Sequence, residues 1–168
     1  MATPPWWLAP AHGVQRMDPH MTTYQVGYFI GSLSSTSINR LLSKALIKLA
    51  PKELQFTEIA FGDLPLYRPE FDADYPAPAK AFKDAIAAVD AVLFVTPEYN
   101  RSVPGVLKNA IDVGSRPYGK SIWSGKPAAV VSVSPGALAA FGANHHLRQS
   151  LVFLDMPAMA QPEAYVGG

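Results

Sequence analysis

The chain contains no cysteine. That excludes disulfides, thiolate metal sites, a thiol nucleophile and a redox dithiol, so any redox chemistry must reside on an external cofactor. Charged residues are also scarce, 16% of the total, and they nearly balance at a formal net charge of +1. No stretch gathers five or more lysines and arginines. The phosphate attraction that underlies nucleic-acid binding therefore has no visible source, and nucleic acid is not an expected partner. No apolar run approaches the roughly 18 residues that a membrane-spanning helix requires, and no charged segment followed by an apolar one opens the chain. No membrane partner is expected, and the expected compartment is the cytoplasm. A Gly-x-Ser-x-Gly elbow is absent too, so a serine hydrolase would lack its nucleophile.

What is present suits one compact domain: 168 residues, 49% of them hydrophobic, enough to bury a sizeable core. The opening segment, Met1 to His20, is rich in Pro, Ala and Trp without period, and a second plausible start stands at Met21. Residues 1–20 are read as an extension of vector origin or without fixed structure, and 21–168 as the domain. The Trp6-Trp7 pair lacks the amphipathic helix that would make it a membrane anchor.

From Tyr24 onward, short apolar runs alternate with helical periods, the pattern of repeated βα units. Tyr24 to Ile30 is a β-prone run ending at Gly31. Ile38, Leu41, Leu42, Ala45, Leu46 and Leu49 recur at i, i+3, i+4, i+7, i+8 and i+11, one apolar stripe on a helix that Pro51 closes. Leu54 to Ile59 alternates apolar with polar residues, as a half-exposed edge strand does. A turn-rich stretch from Gly62 to Pro78 precedes a helix carrying Phe82, Ala85, Ile86 and Val89. The runs Ala91 to Val95 and Ala128 to Val131 are almost wholly apolar and predict central parallel strands covered on both faces. Between them a helix starts near Pro104 and ends at Gly114. A further helix over roughly Asn144 to Leu154 and a fifth strand at Ala164 to Val166 complete the pattern. The fold class is therefore α/β, a flavodoxin-like three-layer doubly wound parallel sheet of order 2-1-3-4-5.

Three loops carry candidate chemistry. In the turn after the first strand, five of the six residues from Ser32 to Ser37 bear hydroxyls, and they lead into a helix N-terminus. Free helix N–H groups, the positive dipole end and converging hydroxyls attract a phosphate dianion. Serine and threonine also serve simply as turn formers and caps, with Ser37 the natural N-cap. This turn has neither the three spaced glycines of a Rossmann turn nor the Gly-Lys-Ser/Thr of a P-loop. The second loop follows the third strand, from Thr96 through Pro97, Glu98, Tyr99, Asn100, Arg101 and Ser102 to Pro104. With strand order 2-1-3-4-5 it lies beside the first loop at the switch point where ligands bind. Tyr99 offers a flat face and a hydroxyl, and Asn100 can address the edge of a planar heterocycle. Glu98 and Arg101, taken singly, read as solvated charges. The third loop, Ser132 to Ala137, lines the same crevice. His145 and His146, adjacent on a helix, point about 100° apart and cannot share a metal, so no metal site is expected. Asp63, Glu70, Asp72 and Asp74 read as solvated loop charges.

Together these loops resemble the NAD(P)H-dependent FMN reductases, particularly the bacterial branch described as quinone, chromate or azo-compound reductases. The resemblance runs from about Tyr24 to Gly168. Its most specific piece is Pro97-Glu98-Tyr99-Asn100 with Ser102, Pro104, Gly105, Leu107-Lys108-Asn109-Ala110 and Asp112 in register, supported by Gly31-Ser32, Ser37 and Asn39. It implies FMN as cofactor and NADH or NADPH as electron donor. Ser32, Ser34, Ser37, Ile38 and Asn39 would hold the FMN phosphate end. Pro97, Glu98, Tyr99, Asn100 and Ser102 would hold the isoalloxazine, and Ser134 and Gly136 would add a third contact. No side chain need act as a general base, because the chemistry belongs to the cofactor; Tyr99 and Asn100 position the substrate. A crevice open to donor and acceptor in turn, without cysteine, metal-ligand set or acidic patch, predicts two-electron ping-pong transfer to quinones and other small acceptors. Leu147, Leu151, Val152, Phe153 and Leu154 exceed what one sheet face can cover and predict a homodimer or homotetramer, as the resemblance also implies. The alternative is a flavodoxin-type electron carrier, although such carriers are strongly acidic and this chain is not. A flavin-free interaction module on the same fold is a second alternative.

Three departures from the family stand out. Ser34 occupies a position that is often basic, which leaves the phosphate charge to the helix terminus and Arg40. Ala139-Ala140 replaces paired glycines and would narrow the pocket. The family continues into a last helix covering one sheet face; here either a further tail or a partner would cover it.

Overall fold

The computed structural model of the protein describes residues 22–168. The expectations for Met1 to His20, the Trp6-Trp7 pair included, fall outside the described residues. Five strands form one all-parallel sheet: β1 (Tyr24–Ile30), β2 (Leu54–Glu58), β3 (Ala91–Thr96), β4 (Ala128–Val133) and β5 (Ala164–Val166), in the order β2-β1-β3-β4-β5. Four helices alternate with them: α1 (Ile38–Leu49), α2 (Ala77–Ala87), α3 (Gly105–Ser115) and α4 (Phe141–Phe153). The expected fold class and strand order are what the structure has.

Local chemistry accounts for these elements. The apolar runs of β3 and β4 are central, and every residue of β3 from Val92 onward is buried. Alternating β2 lies at the edge. Ser37 caps α1, its Oγ accepting from the Asn39 amide at 3.2 Å, and Pro51 prevents the helix from continuing. The helix over the fourth crossover starts three residues before the expected Asn144, at Phe141. The stretch from Gly62 to Pro78 holds a short 3-10 turn, Pro69–Asp72, and the first residues of α2.

The larger core lies between the sheet and α2, α3 and α4. Phe29, Phe82, Phe94 and Trp123 meet there, with Phe29 stacked on Phe94 at 5.1 Å. Trp123, which the sequence pattern did not single out, is fully buried; its indole N–H donates to the Ile111 carbonyl at 3.0 Å. Gly114, expected as a helix stop, lies inside α3 because the indole packs on it. A Cβ there would fall 2.5 Å from Trp123 Nε1.

The opposite face carries a smaller core of Val26, Leu93, Val95 and Val131, on which Leu42 and Leu46 of α1 pack. The predicted stripe on α1 is only partly used. Leu41 and Leu49 face solvent, while the buried residues of the helix are Asn39 and Ser43.

Candidate functional site at the switch point

The turn after β1, the loop after β3 and the loop after β4 all leave the C-terminal ends of adjacent strands. Gly31 sets the closeness of the first two. A Cβ at this position would lie 3.1 Å from Pro97 Cδ and from Thr96 Oγ1, and 3.2 Å from Leu107 Cδ2. The Ser32 and Tyr99 hydroxyls approach to 3.5 Å across the gap.

Within the first turn, Ser32, Ser37 and Asn39 are buried, whereas Ser34 and Ile38 are exposed. Hydroxyl oxygens satisfy the turn's own amides: Ser34 N–H donates to Ser32 Oγ at 3.3 Å, and Thr36 N–H to Ser34 Oγ at 3.3 Å. Ser37 Oγ accepts from the Asn39 amide as N-cap, and a hydroxyl that accepts one bond can still donate another. The side-chain carbonyl of Asn39, 2% exposed, has no hydrogen-bond partner. Arg40 is committed elsewhere. Its guanidinium grips Glu58 with two bonds of 2.8 and 3.0 Å, which holds the Glu58 carboxyl below its ordinary pKa. Arg40 is thereby not free to serve the first turn.

In the second loop, Tyr99 to Ser102 form a two-residue hairpin. Tyr99 N–H donates to Ser102 O at 3.1 Å and Ser102 N–H to Tyr99 O at 3.0 Å, with Asn100 (φ 51°) and Arg101 (φ 65°) both left-handed. This geometry lifts Tyr99 and Asn100 into solvent while Pro97 stays buried beneath them. Glu98 is not the solvated charge expected of it. Its side chain is 10% exposed, with one oxygen accepting from Ala143 N–H at 3.1 Å and the other from Arg101 Nη1 at 3.2 Å.

In the third loop, Ser134 Oγ accepts from Gly136 N–H at 3.0 Å. Ala139 (φ 50°) and Ala140 (φ 60°) adopt the left-handed backbone that paired glycines take without cost. Behind the loop, Ser132 donates to the Ala139 carbonyl at 2.9 Å and accepts from buried Asn144 at 3.3 Å. His145 and His146 diverge as expected, to the Tyr165 hydroxyl (2.9 Å) and the Ser102 hydroxyl (3.0 Å) respectively.

Two residues to which the sequence assigned no such role, Asn109 and Asp72, shape the surroundings. Asn109 of α3 pins the loop after β2, accepting from Tyr67 N–H at 2.8 Å and donating to the Pro65 carbonyl at 3.0 Å. A polar residue on an otherwise apolar helix face was the available signal. Asp72 accepts from the Tyr75 hydroxyl at 2.6 Å and the Tyr67 hydroxyl at 3.2 Å, so it is an acceptor within the loop and not a solvated charge. Burial and this carboxylate push the Tyr75 phenol well above its ordinary range.

A doubly wound parallel sheet with three polar loops converging at its switch point defines a flavodoxin-like nucleotide-binding domain. More narrowly, the chain belongs to the NADPH-dependent FMN reductase family, whose sequence model matches residues 24–168. A quinone reductase of Pseudomonas putida is 63% identical over 146 residues, covering 86% of this chain and 78% of that one. A 2-hydroxy-1,4-benzoquinone reductase of a Burkholderia species is 48% identical, covering 84% and 78%. The solved structure of FerB, a flavoenzyme NAD(P)H:(acceptor) oxidoreductase of Paracoccus denitrificans, superposes with a TM-score of 0.82 at 46% identity, covering 86% and 79%.

The chain is therefore an oxidoreductase that uses FMN and NAD(P)H. Its residues fit that cofactor. The Ser32 and Ser37 hydroxyls stand at the N-terminus of α1, which has no acidic residue in its first turn, and a shelf of buried Pro97 and exposed Tyr99 lies beside them. Among the described residues, no helix is long and apolar enough to cross a membrane.

Proposed function

We propose that this protein is a cytoplasmic NAD(P)H:quinone oxidoreductase whose FMN lies across the three loops. The phosphate sits at Ser32, Ser34, Ser37, Ile38 and Asn39. The ring lies on Pro97, Glu98, Tyr99, Asn100 and Ser102, and Ser134 and Gly136 touch it from the third loop. The contact between Ser32 and Tyr99 carries this reading, because it joins a phosphate-type turn to a ring-type shelf in one crevice. The naming of relatives at 63% and 48% identity as quinone reductases supports the acceptor.

FMN, when bound, would supply the hydride chemistry between NAD(P)H and the acceptor. The chain's own residues hold and orient. Ser37 donates its proton to a phosphate oxygen while the dipole of α1 offsets the charge. Tyr99 and Asn100, raised on the hairpin, leave one open position for donor and acceptor in turn. The assembly is a homodimer or homotetramer: Leu147, Leu151 and Leu154 of the α4 segment are buried within the chain, but Val152 and Phe153 remain 76% and 79% exposed.

The test is anaerobic reduction of the FMN-loaded protein by NADH and by NADPH, followed by addition of a soluble benzoquinone. Bleaching of the visible flavin absorbance by one nucleotide, and its return with quinone, is expected. A chain that takes up no FMN, or whose flavin neither nucleotide bleaches, overturns the assignment.

A further inference from the structure

Helix α4 begins without a cap of its own. Ala140 stands at the N-cap, its methyl side chain unable to accept from a free amide, and no acidic residue occupies the first turn. A helix start of this kind leaves N–H groups in want of acceptors and a positive dipole end in want of charge. Both wants are met from 45 residues away, by the Glu98 carboxylate on the Ala143 amide. Gly142 makes the approach possible, since a Cβ there would fall 2.9 Å from Glu98 Oε2 and 3.0 Å from the Arg101 carbonyl.

The same helix is tied to the other loops. His146 meets Ser102 at the far side of the hairpin, and Asn144 reaches Ala139 through Ser132. Residues 143 to 146 thus hold the second loop at both of its ends and the third loop from behind.

We propose that Glu98 is a positioning residue: it acts on the cofactor through α4, by capping the helix and so fixing the hairpin that presents Tyr99 and Asn100. Its carboxylate is turned to the helix and not to the ring. The proposal rests on the reading that the FMN ring lies on this hairpin.

Flavin titrations of the full chain, with FMN and with riboflavin, test it alongside thermal unfolding of the flavin-free protein. Glu98→Ala is expected to weaken FMN by about tenfold, the scale of one lost cap. Riboflavin should weaken by the same factor, because the phosphate turn is untouched. Glu98→Gln keeps an oxygen for the Ala143 amide and should stay within about twofold of the unaltered chain. Gly142→Ala crowds the same carboxylate and also the Arg101 carbonyl of the hairpin, so it should weaken FMN at least as much as Glu98→Ala, and the double substitution should be no weaker than Gly142→Ala alone. If Glu98→Ala does not fold, Gly142→Ala carries the comparison. Unchanged affinity in both single variants, additive losses in the double, or a Glu98→Gln as weak as Glu98→Ala would overturn the proposal. Failure of the unaltered chain to bind FMN would instead overturn the cofactor placement beneath it, and the proposal with it.

Discussion

The hydroxyl oxygen of Ser32 lies 3.5 Å from that of Tyr99, so the turn after β1 and the hairpin after β3 touch across the switch point of the sheet. A ligand that fills both must be anionic at one end and flat at the other. Free phosphate or a bare heterocycle satisfies only half of this surface.

FMN should accordingly bind more tightly than riboflavin. Each charge-assisted hydrogen bond from the Ser37 hydroxyl or a turn amide is worth about 1.5–3 kcal/mol, so the gap should be about 10- to 100-fold. Ser37→Glu places a carboxylate where the phosphate would sit, and should weaken FMN while leaving riboflavin unchanged. Fluorescence titration measures both, and equal dissociation constants for the two flavins would place the phosphate elsewhere.

Trp123 and Gly114 make a second close pair, in the core. Because a Cβ on Gly114 would stand 2.5 Å from the indole Nε1, Gly114→Ala must displace the ring that packs on Phe29, Phe82 and Phe94. Overpacking of this kind costs about 1–3 kcal/mol, despite the gain in helix propensity from glycine to alanine. A lowered midpoint of chemical denaturation is expected, with the slope unchanged.

That pair also marks where sequence legibility ended. Strands β3 and β4 were readable because their burial is written locally, as almost continuous apolar runs. Trp123 was not, since it sits in a segment without period and its partners are remote in sequence. The stripe on α1 announced a helix but not which face meets the sheet. Ser43 can be buried there because its hydroxyl donates to the Asn39 carbonyl at 2.8 Å within the helix. At the site, the three loops were legible through strand order and residue type. The destination of the Glu98 carboxylate was not, because the uncapped start of α4 becomes visible only when the chain folds.

Arg101 holds φ 65° at the second corner of the hairpin, a backbone that costs a side chain about 1–2 kcal/mol. Arg101→Gly creates Asn-Gly, the pair most suited to such a turn. The lost ion pair to Glu98 is exposed on the arginine side and contributes at most about 1 kcal/mol. The flavin-free protein should therefore gain about 0.5–1 kcal/mol, read as a higher denaturation midpoint. A loss of stability would mean that the ion pair outweighs the relieved backbone.

The last expectation concerns the order of the two substrates. Tyr99 and Asn100 stand exposed on one hairpin, and the third loop, with Pro135 to Leu138 exposed, flanks the same crevice. If the flavin ring lies on this hairpin, nicotinamide and quinone should occupy the same open position in turn, the donor leaving before the acceptor enters. Double-reciprocal plots of rate against NAD(P)H at several quinone concentrations should be parallel. Tyr99→Ala should then slow reduction by nucleotide and reoxidation by quinone alike, since both rely on the same surface, whereas a residue serving one substrate would slow one half-reaction only. Intersecting lines would require a second substrate position. Efficient one-electron transfer to a protein acceptor, with no turnover of quinone, would make the molecule an electron carrier instead.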